Sequence, residues 1–446
     1  MTIPVIATWP AHRGAGYGGA SLLAAFFWIA AWRLHQRLTT RELSGKATRV
    51  SLLVGIVLRL SLAGTQPFTS NDVHRYIWDG HVAAAGLDPY RLTPAQAERA
   101  LSLRGQDTFA PPPDNRDVPT LYPPLALALF SLCAHAGPDL ALPLWKALCA
   151  AASIASLLLM AFILRKRGAS QHLVLVSLSP LLILEAAVGA HVDVFVALFL
   201  TLSFAILPPG ARHQARARAA AAAVALGLAI LMKFTPALVA LALFACLGKA
   251  GKLRAAFATC LAATLSFGYM LPVALGFMPG GSLATFFRKW RFGSPFFSTA
   301  PPPFVDGQIP WASFLLAAGA LVWLSVELKR RHHDRALQVA LATPLLASPV
   351  VFPWYLMPLA AVLPLAPSSY VMAWVALHPL TYEVIDSYAA TGAWQPARWP
   401  LNLLLLTWAL LRLRHQRTRE WLLRLCNVGA RRETKEVPHA TASRGP

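Results

Sequence analysis

Long apolar runs separated by short polar segments make up most of the chain. A helix that crosses the hydrocarbon core of a bilayer needs about 20 mainly apolar residues, with a range of about 17–25. Some of the runs are shorter, which predicts broken helices that are enclosed by protein rather than lipid. We therefore predict a bundle of about 11–13 transmembrane helices. The candidate spans are residues 16–32, 50–64, 140–164, 173–188, 192–209, 219–232, 234–248, 255–276, 311–328, 337–350, 354–366, 369–383 and 400–412.

The composition agrees with a membrane location. Hydrophobic residues make up 56% of the 446 residues and charged residues only 13%, whereas soluble domains carry about 25% charged residues. So few charges cannot cover a soluble particle of this size unless lipid covers much of its surface. The sequence thus predicts an all-α polytopic membrane protein with a single transmembrane domain over residues 1–428, and it excludes an ordinary soluble enzyme.

The positive charges lie in short segments between the apolar runs. The formal net charge is +21, which would suggest nucleic-acid binding if the basic residues shared one surface. Short loops rich in Lys and Arg stay in the cytoplasm, so their spacing predicts a membrane protein and no nucleic-acid partner. We expect residues 429–446 to form a basic, disordered cytoplasmic tail. The basic clusters lie at residues 33–49, 165–167, 212–218, 249–254, 329–335 and 412–444.

The same rule predicts the side of the membrane on which each remaining segment lies. If residues 121–137 crossed the membrane completely, the basic cluster 165–167 would lie outside. We therefore interpret residues 121–137 as a half-span that returns to the outer face. The polar chemistry is then expected on the outer face. With every basic cluster inside, the outer segments are the N-terminus and residues 65–120, 188–193, 277–310, 349–355 and 384–399.

The predicted outer loop 65–120 is the segment richest in carboxylates. It holds seven of the 19 acidic residues of the chain. Ser70 or Asn71 can cap a helix at this point. The pattern is compatible with a substrate site, and equally with a solvated amphipathic helix on the membrane surface that carries a weak i,i+3 ion pair. The residues Asp72, Arg75, Tyr76 and Asp79 are spaced i, i+3, i+4 and i+7, which places them on one helix face.

A second group of candidates lies where apolar runs meet. Glu185 lies within a predicted span, and an ionisable residue at that depth is a functional candidate by default. His191 and Asp193 follow at the predicted outer turn. The alternative is a pair between Glu185 and a His or an Arg that only fixes helix packing. Arg59, within the span 50–64, is a candidate partner for Glu185 or for a lipid phosphate.

Cations on the predicted outer face suggest an anionic ligand. Lys233, Arg288 and Arg291 lie where positive charge is otherwise scarce, and a phosphate is the simplest anion to bind them. Interaction with lipid headgroups is the alternative for each. Tyr122 precedes two prolines, where a helix start is the simpler interpretation. Residues 352–355 are typical of the aromatic belt at a membrane interface.

The order of six short motifs resembles a known family. The motifs are N-D-V-H-R-Y-I-W-D-G, G-L-D-P-Y, L-Y-P-P-L, G-A-H-V-D, K-F-T-P and P-W-Y. Together they resemble the GT-C-fold glycosyltransferases that use polyprenyl-phosphate sugars. The similarity is greatest to the bacterial mannosyltransferase-like group around glycosyltransferase family 87 and to the related mannosyltransferases of anchor-lipid synthesis. It covers roughly residues 65–250 and 349–358, and it rests on the order of the motifs rather than on any one of them.

The resemblance implies a polytopic GT-C-like enzyme with an essential aspartate in its first large outer loop, matched here by Asp72. It also implies inverting transfer of a hexose, mannose in the most similar group, from a polyprenyl-phosphate sugar to an acceptor hydroxyl. The reaction is expected on the periplasmic side of a bacterial plasma membrane. The expected partners are the lipid-linked donor, a glycan or lipid acceptor, and membrane lipids.

Roles for the candidate residues follow from this chemistry. Asp72 is the candidate base for the acceptor hydroxyl, and cations are expected around the leaving phosphate. The candidate substrate residues are Arg75, Lys233 and one of Arg288 or Arg291 for the phosphate, Tyr76, Asp79 and His191 for sugar or acceptor, Tyr122 for the mouth of a lipid groove, and Asp193 with its role open.

The chain departs from the family pattern at two places. Relatives often have two acidic residues where this chain has Asn71 and Asp72, which weakens the expectation of a bound metal. Relatives also have an Asn between the matching His and Asp, where this chain has Val192. We expect no cofactor, with a divalent metal compatible but not favoured. The sequence contains no G-x-x-x-x-G-K-[ST] and no HExxH motif, which disfavours nucleotide-driven pumping and a zincin site.

There are three alternatives to this enzyme. They are a secondary transporter or flippase of an anionic or lipid-linked substrate, a lipid-linked glycan ligase or polymerase, and a non-catalytic assembly partner, which would need no carboxylates, Arg and Tyr clustered on one helix face. A transporter predicts paired halves with interrupted helices that meet near the midplane, and the sequence shows no such duplication. Ligases and polymerases usually have their larger outer loop between late spans. Here the largest outer segment, residues 65–120, follows the second span, which favours the monophosphate-sugar transferase.

Overall fold

Helices make up most of the structure, a computed structural model that describes residues 13–38, 40–106, 108–207, 216–276, 282, 290–298 and 309–433. Within these residues the only β-type pairings are two isolated bridges, of Phe292 and of Gly293, each with Val350. The predicted all-α fold is confirmed.

The helices follow the order of the apolar runs. Each predicted span overlaps one α-helix, alone or joined to 3₁₀ turns, except the span 173–188, which overlaps two short α-helices. The α-helices are α1 (Arg13–Gln36), α2 (Arg41–Leu62), α3 (Asp72–Ala84), α4 (Pro94–Leu103), α5 (Pro124–Ala134), α6 (Pro138–Lys166), α7 (Val174–Ser177), α8 (Pro180–Ala187), α9 (Asp193–Ile206), α10 (Arg216–Met232), α11 (Val239–Cys246), α12 (Gly251–Ala274), α13 (Ile309–Lys329), α14 (His333–Ala347), α15 (Met357–Val362), α16 (Ser369–Leu377), α17 (Val384–Thr391) and α18 (Trp399–Glu433). The 3₁₀ turns are Ser170–Leu173, Thr235–Leu238, Pro353–Leu356, Leu363–Leu365 and His378–Glu383.

Four described helices are long and apolar enough to cross a bilayer: α1, α6, α12 and the part Trp311–Lys329 of α13. Ser170–Ser177 and Pro180–Ala187 form a fifth candidate, bent by 45°. The polytopic membrane character is therefore confirmed. The remaining predicted spans are shorter or broken helices, so the count of about 11–13 spans stays a prediction. α18 continues to Glu433, and residues 434–446 lie outside the described part of the chain, so the predicted tail 429–446 also stays a prediction.

α5 has the length expected of the predicted half-span. Its 11 residues rise about 16 Å, roughly half of the 30 Å hydrocarbon core of a bilayer. Gly137 has a φ of +86° and turns the chain directly into α6. The short helix and the immediate turn support an element that does not cross the membrane completely.

The bend between α7 and α8 is held by the buried guanidinium of Arg59. Its Nη1 donates to the carbonyl of Ser177 at 2.9 Å, and its Nη2 donates to the carbonyl of Val176 at 3.0 Å. Its Nε donates to Ser153 Oγ at 2.7 Å. These bonds satisfy carbonyl groups that the helix break leaves without intrahelical partners. The suggestion that Arg59 pairs with Glu185 or binds a lipid phosphate is wrong, because only 1% of Arg59 is exposed and its donors serve this break.

The outer loop 65–120 folds around a small core of its own. α4 begins with a capping box in which Thr93 and Gln96 bond each other's backbone. The core is formed by Trp78, Val82, Leu87, Ala97 and Leu101. The loop thus holds α3 in place from one side, while α5 supports it from the other.

A close backbone approach at Gly80 joins α3 to α5. A Cβ atom at Gly80 would lie 2.3 Å from the backbone carbon and oxygen of Phe130. Only glycine permits this approach, because it has no Cβ. The contact sets the depth of α3 and therefore the position of Asp72 at the start of that helix.

We expect Gly80→Ala to destabilise the protein, because the added methyl group must push α3 away from α5. Overpacking of this kind typically costs about 1–3 kcal/mol. The matched control is Gly19→Ala in α1, where nothing lies within 4 Å of the added atom. Thermal unfolding of the purified protein in detergent should give a lower midpoint for Gly80→Ala only. Equal midpoints for the two variants would contradict the proposed contact.

Candidate active site

A cavity of about 420 Å³ brings together segments that are distant in the sequence. Its wall is formed by residues from the predicted outer segments 65–120, 277–310, 349–355 and 384–399, joined by Leu121, Tyr122, Lys233 and Tyr382. The charged residues in the wall are Asp72, Arg75, Asp114 and Lys233. Segments that the charge pattern predicts on one face of the membrane therefore line the same cavity.

Asp72 is the first residue of α3 and faces this cavity. Its backbone N–H donates to Ser70 Oγ at 2.9 Å, which fixes the start of the helix. Asn71 does not cap the helix and instead donates to Asp114 Oδ2. The Asp72 side chain is 35% exposed, and its carboxylate lies at the partly positive N-terminus of α3. The sequence-based prediction of an accessible carboxylate at this point is consistent with that position.

The surroundings make the Asp72 carboxylate more basic than a carboxylate in water. Burial in the cavity wall raises the pKa of Asp72 to about 6, while the positive charge of Lys233 opposes that rise and the charge of Asp193 adds to it. At neutral pH the group is still mostly ionised. A base whose pKa lies close to the working pH is well suited to accept a proton.

A buried ion pair holds Lys233 in the cavity wall. Lys233 Nζ donates to both carboxylate oxygens of Asp193, at 2.8 Å each. The Asp193 side chain is completely buried, and that of Lys233 is 13% exposed. The ammonium also lies 3.6 Å from the ring centroid of Tyr355, a cation–π contact. Asp193, whose role the sequence left open, therefore positions Lys233.

His191 is buried behind Asp72 and does not line the cavity. Its Nδ1 is 3.7 Å from Asp72 Oδ2, and its Nε2 is 3.4 Å from Glu185 Oε2. Tyr382 donates its hydroxyl to Glu185 Oε1 at 2.9 Å. The His191 ring stacks on Trp354 with centroids 3.8 Å apart. Of the partners considered for Glu185, the histidine is the one that the structure places beside it.

Arg75 ties α3 to the end of the outer loop. Its Nε donates to Asp79 Oδ1 at 2.8 Å, and its two terminal nitrogens donate to the carbonyls of Asn115 and Val118 at 3.0 and 2.7 Å. Arg75 also lines the cavity, whereas Asp79 is 2% exposed and lies behind the wall. The structure thus places Arg75 in the cavity wall and Asp79 behind it, so a direct contact of Arg75 with substrate stays a prediction.

Tyr76 and Tyr122 form the aromatic support below Asp72. Tyr76 donates to Asp72 Oδ2 at 3.4 Å but is fully buried, with its ring stacked on Phe130 at 4.7 Å. Tyr122 packs edge-on against Tyr76 at 5.0 Å and reaches the cavity. The predicted polar face of α3 is therefore present. The alternative of a solvated surface helix is wrong, because Val73 and every residue from Tyr76 to Val82 in α3 are buried.

Of the two candidate arginines in segment 277–310, only Arg291 lies among the described residues. Arg291 donates from Nη1 to the carbonyl of Trp290 at 2.6 Å and is not among the residues that line the cavity. Arg288 lies outside the described residues, so its role stays a prediction. In the part of the chain that the structure describes, no three His, Cys, Asp or Glu side chains form a group suited to a metal ion; metal independence stays a prediction.

Sequence reasoning missed the aromatic part of the cavity. The sequence pattern predicts an interfacial belt at residues 352–355, yet Phe352, Trp354 and Tyr355 line the cavity. They are joined by residues that were not singled out, namely Trp290, Phe292, Tyr388 and Trp394. No local pattern distinguishes these side chains from the aromatic residues that face lipid, because only the tertiary fold brings them together.

Comparison with known proteins identifies the family of the chain. The profile of the MptA_B family, described as "Alpha-(1->6)-mannopyranosyltransferase, N-terminal domain", matches residues 2–249. No curated protein and no solved structure matched the chain. The matched region is more than half of the chain and contains Asp72, His191, Asp193 and Lys233. The chain therefore belongs to the alpha-(1->6)-mannopyranosyltransferase family and is a membrane mannosyltransferase.

Proposed function

We propose that the protein transfers mannose from a polyprenyl-phosphate mannose donor to a hydroxyl of a glycan acceptor at the non-cytoplasmic face of a bacterial plasma membrane. The single observation that carries the proposal is the presence of Asp72 and Lys233 in one cavity wall. The first is an ionised, accessible carboxylate, and the second is a cation held in place by its own buried counterion. A transfer that removes a proton and releases a phosphate needs both groups.

The proposed reaction is a single displacement. The acceptor oxygen attacks the anomeric carbon while Asp72 takes the hydroxyl proton. A new carbon–oxygen bond forms on one face of the sugar as the bond to the phosphate oxygen breaks on the other, so the anomeric configuration inverts. The electron pair of the broken bond stays on polyprenyl phosphate, which gains one negative charge. No cofactor is needed to balance these steps.

Lys233 is the candidate group for stabilising the departing phosphate. Its ammonium has three hydrogens, and Asp193 accepts two of them, which leaves one for a ligand. Arg75 lines the same cavity, although its nitrogens already bond Asp79 and backbone carbonyls. We therefore assign the direct phosphate contact to Lys233 and a longer-range electrostatic contribution to Arg75.

The aromatic part of the cavity supports a glycan as the acceptor. The Trp394 ring lies with its centroid 5.4 Å from that of Phe292, 6.0 Å from Tyr388 and 6.1 Å from Trp290. Aromatic faces carry partial negative charge, and the C–H groups on one side of a pyranose carry partial positive charge. A ring such as Trp394, which is 36% exposed, can therefore stack on an acceptor sugar.

We expect Asp72→Asn to lower kcat by at least about 10²-fold, because loss of a general base typically costs 10²–10⁴-fold. The measurement is transfer of radiolabelled mannose from polyprenyl-phosphate mannose to a short α-(1→6)-linked mannose oligosaccharide in membrane vesicles. Asp117→Asn is the matched control, since it removes an exposed carboxylate of the same loop outside the cavity. Parent-like turnover by Asp72→Asn would refute the assigned base.

The activity should fall as the pH is lowered through about 6, because protonated Asp72 cannot accept the hydroxyl proton. The value of kcat/KM should drop about tenfold per pH unit below that point and level off above it. A profile that is flat between about pH 5 and 7 would contradict a base with this raised pKa. The groups near Asp72 are Lys233, Asp193, Arg75, Tyr76, His191, Tyr122 and Tyr355.

Trp394→Ala should raise the KM for the oligosaccharide acceptor about three- to tenfold while the KM for the donor stays the same, since one stacking contact is lost. The control is Trp399→Ala, which removes a 51% exposed tryptophan that does not line the cavity. Initial rates with each substrate varied in turn separate the two constants. An unchanged acceptor KM would exclude Trp394 from the acceptor site.

A further inference from the structure

Three buried side chains, His191, Glu185 and Tyr382, form a row of contacts that leads from Asp72 into the protein. His191 lies between two carboxyl groups, with Asp72 Oδ2 3.7 Å from Nδ1 and Glu185 Oε2 3.4 Å from Nε2. Neither ring nitrogen has another hydrogen-bond partner among the described residues. Both distances exceed the range of about 2.7–3.2 Å for a normal hydrogen bond. Catalytic hydrogen bonds are often long before substrate binds and tighten in the complex.

The surroundings keep the His191 ring neutral. Burial, and next the nearby positive charge of Lys233, hold the pKa of His191 well below its ordinary value. A neutral imidazole has one N–H and one nitrogen lone pair. The ring must therefore present a hydrogen to one of its two carboxyl neighbours and a lone pair to the other.

The ionised state of Asp72 decides which nitrogen carries the hydrogen. An ionised carboxylate only accepts hydrogen bonds, so the hydrogen belongs on Nδ1, which faces Asp72. The Nε2 lone pair then faces Glu185 Oε2, and a favourable contact requires a hydrogen on that oxygen. The other oxygen, Oε1, already accepts from Tyr382.

A protonated Glu185 is consistent with its position. Glu185 is 1% exposed, and within the described ranges its carboxylate forms no salt bridge with Lys or Arg, only the contact with His191. An ionised carboxylate at such a site is costly, whereas the neutral acid can donate to one neighbour and accept from another.

The ring is also held rigidly in this orientation. Trp354 stacks on it at 3.8 Å with the planes 7° apart. Ala190 adopts a φ of +50°, a conformation that costs energy for a residue other than glycine. A Cβ atom at Gly189 would lie 2.6 Å from the His191 ring. Strain and close packing on both sides leave the imidazole little freedom to turn away from Asp72.

We propose that His191 is a positioning residue that donates its Nδ1–H to Asp72 Oδ2, and that Glu185, as a neutral carboxylic acid, fixes this tautomer by donating to Nε2. The proposal rests on the proposed function, in which Asp72 is the base. Oδ2 is then occupied by His191, so Oδ1 is the oxygen left to take the proton of the acceptor hydroxyl.

The first test compares two amide substitutions of His191. Asn places an N–H close to the position of Nδ1, and Gln places one close to the position of Nε2. We expect His191→Gln to lower kcat about 10- to 100-fold relative to the parent. The kcat of His191→Asn should be about tenfold higher than that of His191→Gln. The donor KM should change little in either variant, and thermal midpoints show whether each variant is folded.

The pH dependence of kcat/KM distinguishes a positioning role of His191 from a purely structural one. Without its donor the ionised form of Asp72 loses stabilisation, so the acidic limb of kcat/KM should move up by about one pH unit in His191→Gln and His191→Leu. In His191→Asn the limb should stay close to that of the parent. Equal losses in the Asn and Gln variants with unmoved limbs would overturn the positioning role.

Infrared spectroscopy tests the proton on Glu185 directly. The difference spectrum between the parent protein and Glu185→Gln at neutral pH should contain a carboxylic-acid C=O band. The same subtraction with Asp72→Asn should show carboxylate bands instead. Absence of the acid band for Glu185 would overturn the assigned tautomer while leaving Asp72 as the base. An active Asp72→Asn variant would overturn the proposed function itself, and the positioning role with it.

Discussion

The buried ion pair between Lys233 and Asp193 determines the electrostatics of the cavity. Both oxygens of Asp193 accept from the same ammonium at 2.8 Å, so Lys233 is held in the wall without direct contact with Asp72. A direct Lys233–Asp72 pair would lower the pKa of Asp72 and make it a weaker base. In the proposed reaction, Lys233 is instead available for the leaving phosphate, and the pKa of Asp72, the proposed base, stays at about 6. The proposed mechanism depends on this separation of the proton acceptor, Asp72, from the cation, Lys233.

The side chains of the site come from places where the helices are interrupted. The turn that carries His191 lies between α8 and α9, and a second break before α15 carries Trp354 and Tyr355. Breaks expose backbone carbonyls that lipid cannot satisfy, and buried cations satisfy them here. Lys146 donates to the carbonyls of Thr65 and Ala187 at 2.7 and 2.8 Å, which links the ends of α2 and α8. Arg59 serves the bend at the other end of α8 in the same way.

The sequence predicted the helices and the leading candidate in the site because both leave local signals. Apolar runs mark the helices, and the i, i+3, i+4, i+7 spacing after Ser70 marks the polar face of α3. Periodicity gives the direction of a side chain but not the depth of its surroundings. For that reason Tyr76 and Asp79 were expected at the substrate, and the structure places them behind the wall. Pairing over long sequence separations, such as Lys233 with Asp193 or His191 with Asp72, leaves no local signal.

The proposed reaction moves one negative charge from Asp72 to the leaving phosphate and leaves the net charge of the cavity unchanged. Before transfer Asp72 is ionised near Lys233; afterwards Asp72 carries the acceptor proton and the phosphate carries the additional negative charge. The cation therefore interacts with a negative neighbour throughout, but it gains most where charge develops on the leaving oxygen. Only an interaction that strengthens on the way to the transition state accelerates a reaction. The fixed position of Lys233 meets this condition, because Asp193 holds the ammonium in place before the bond to phosphate breaks, so no reorganisation is needed at that moment.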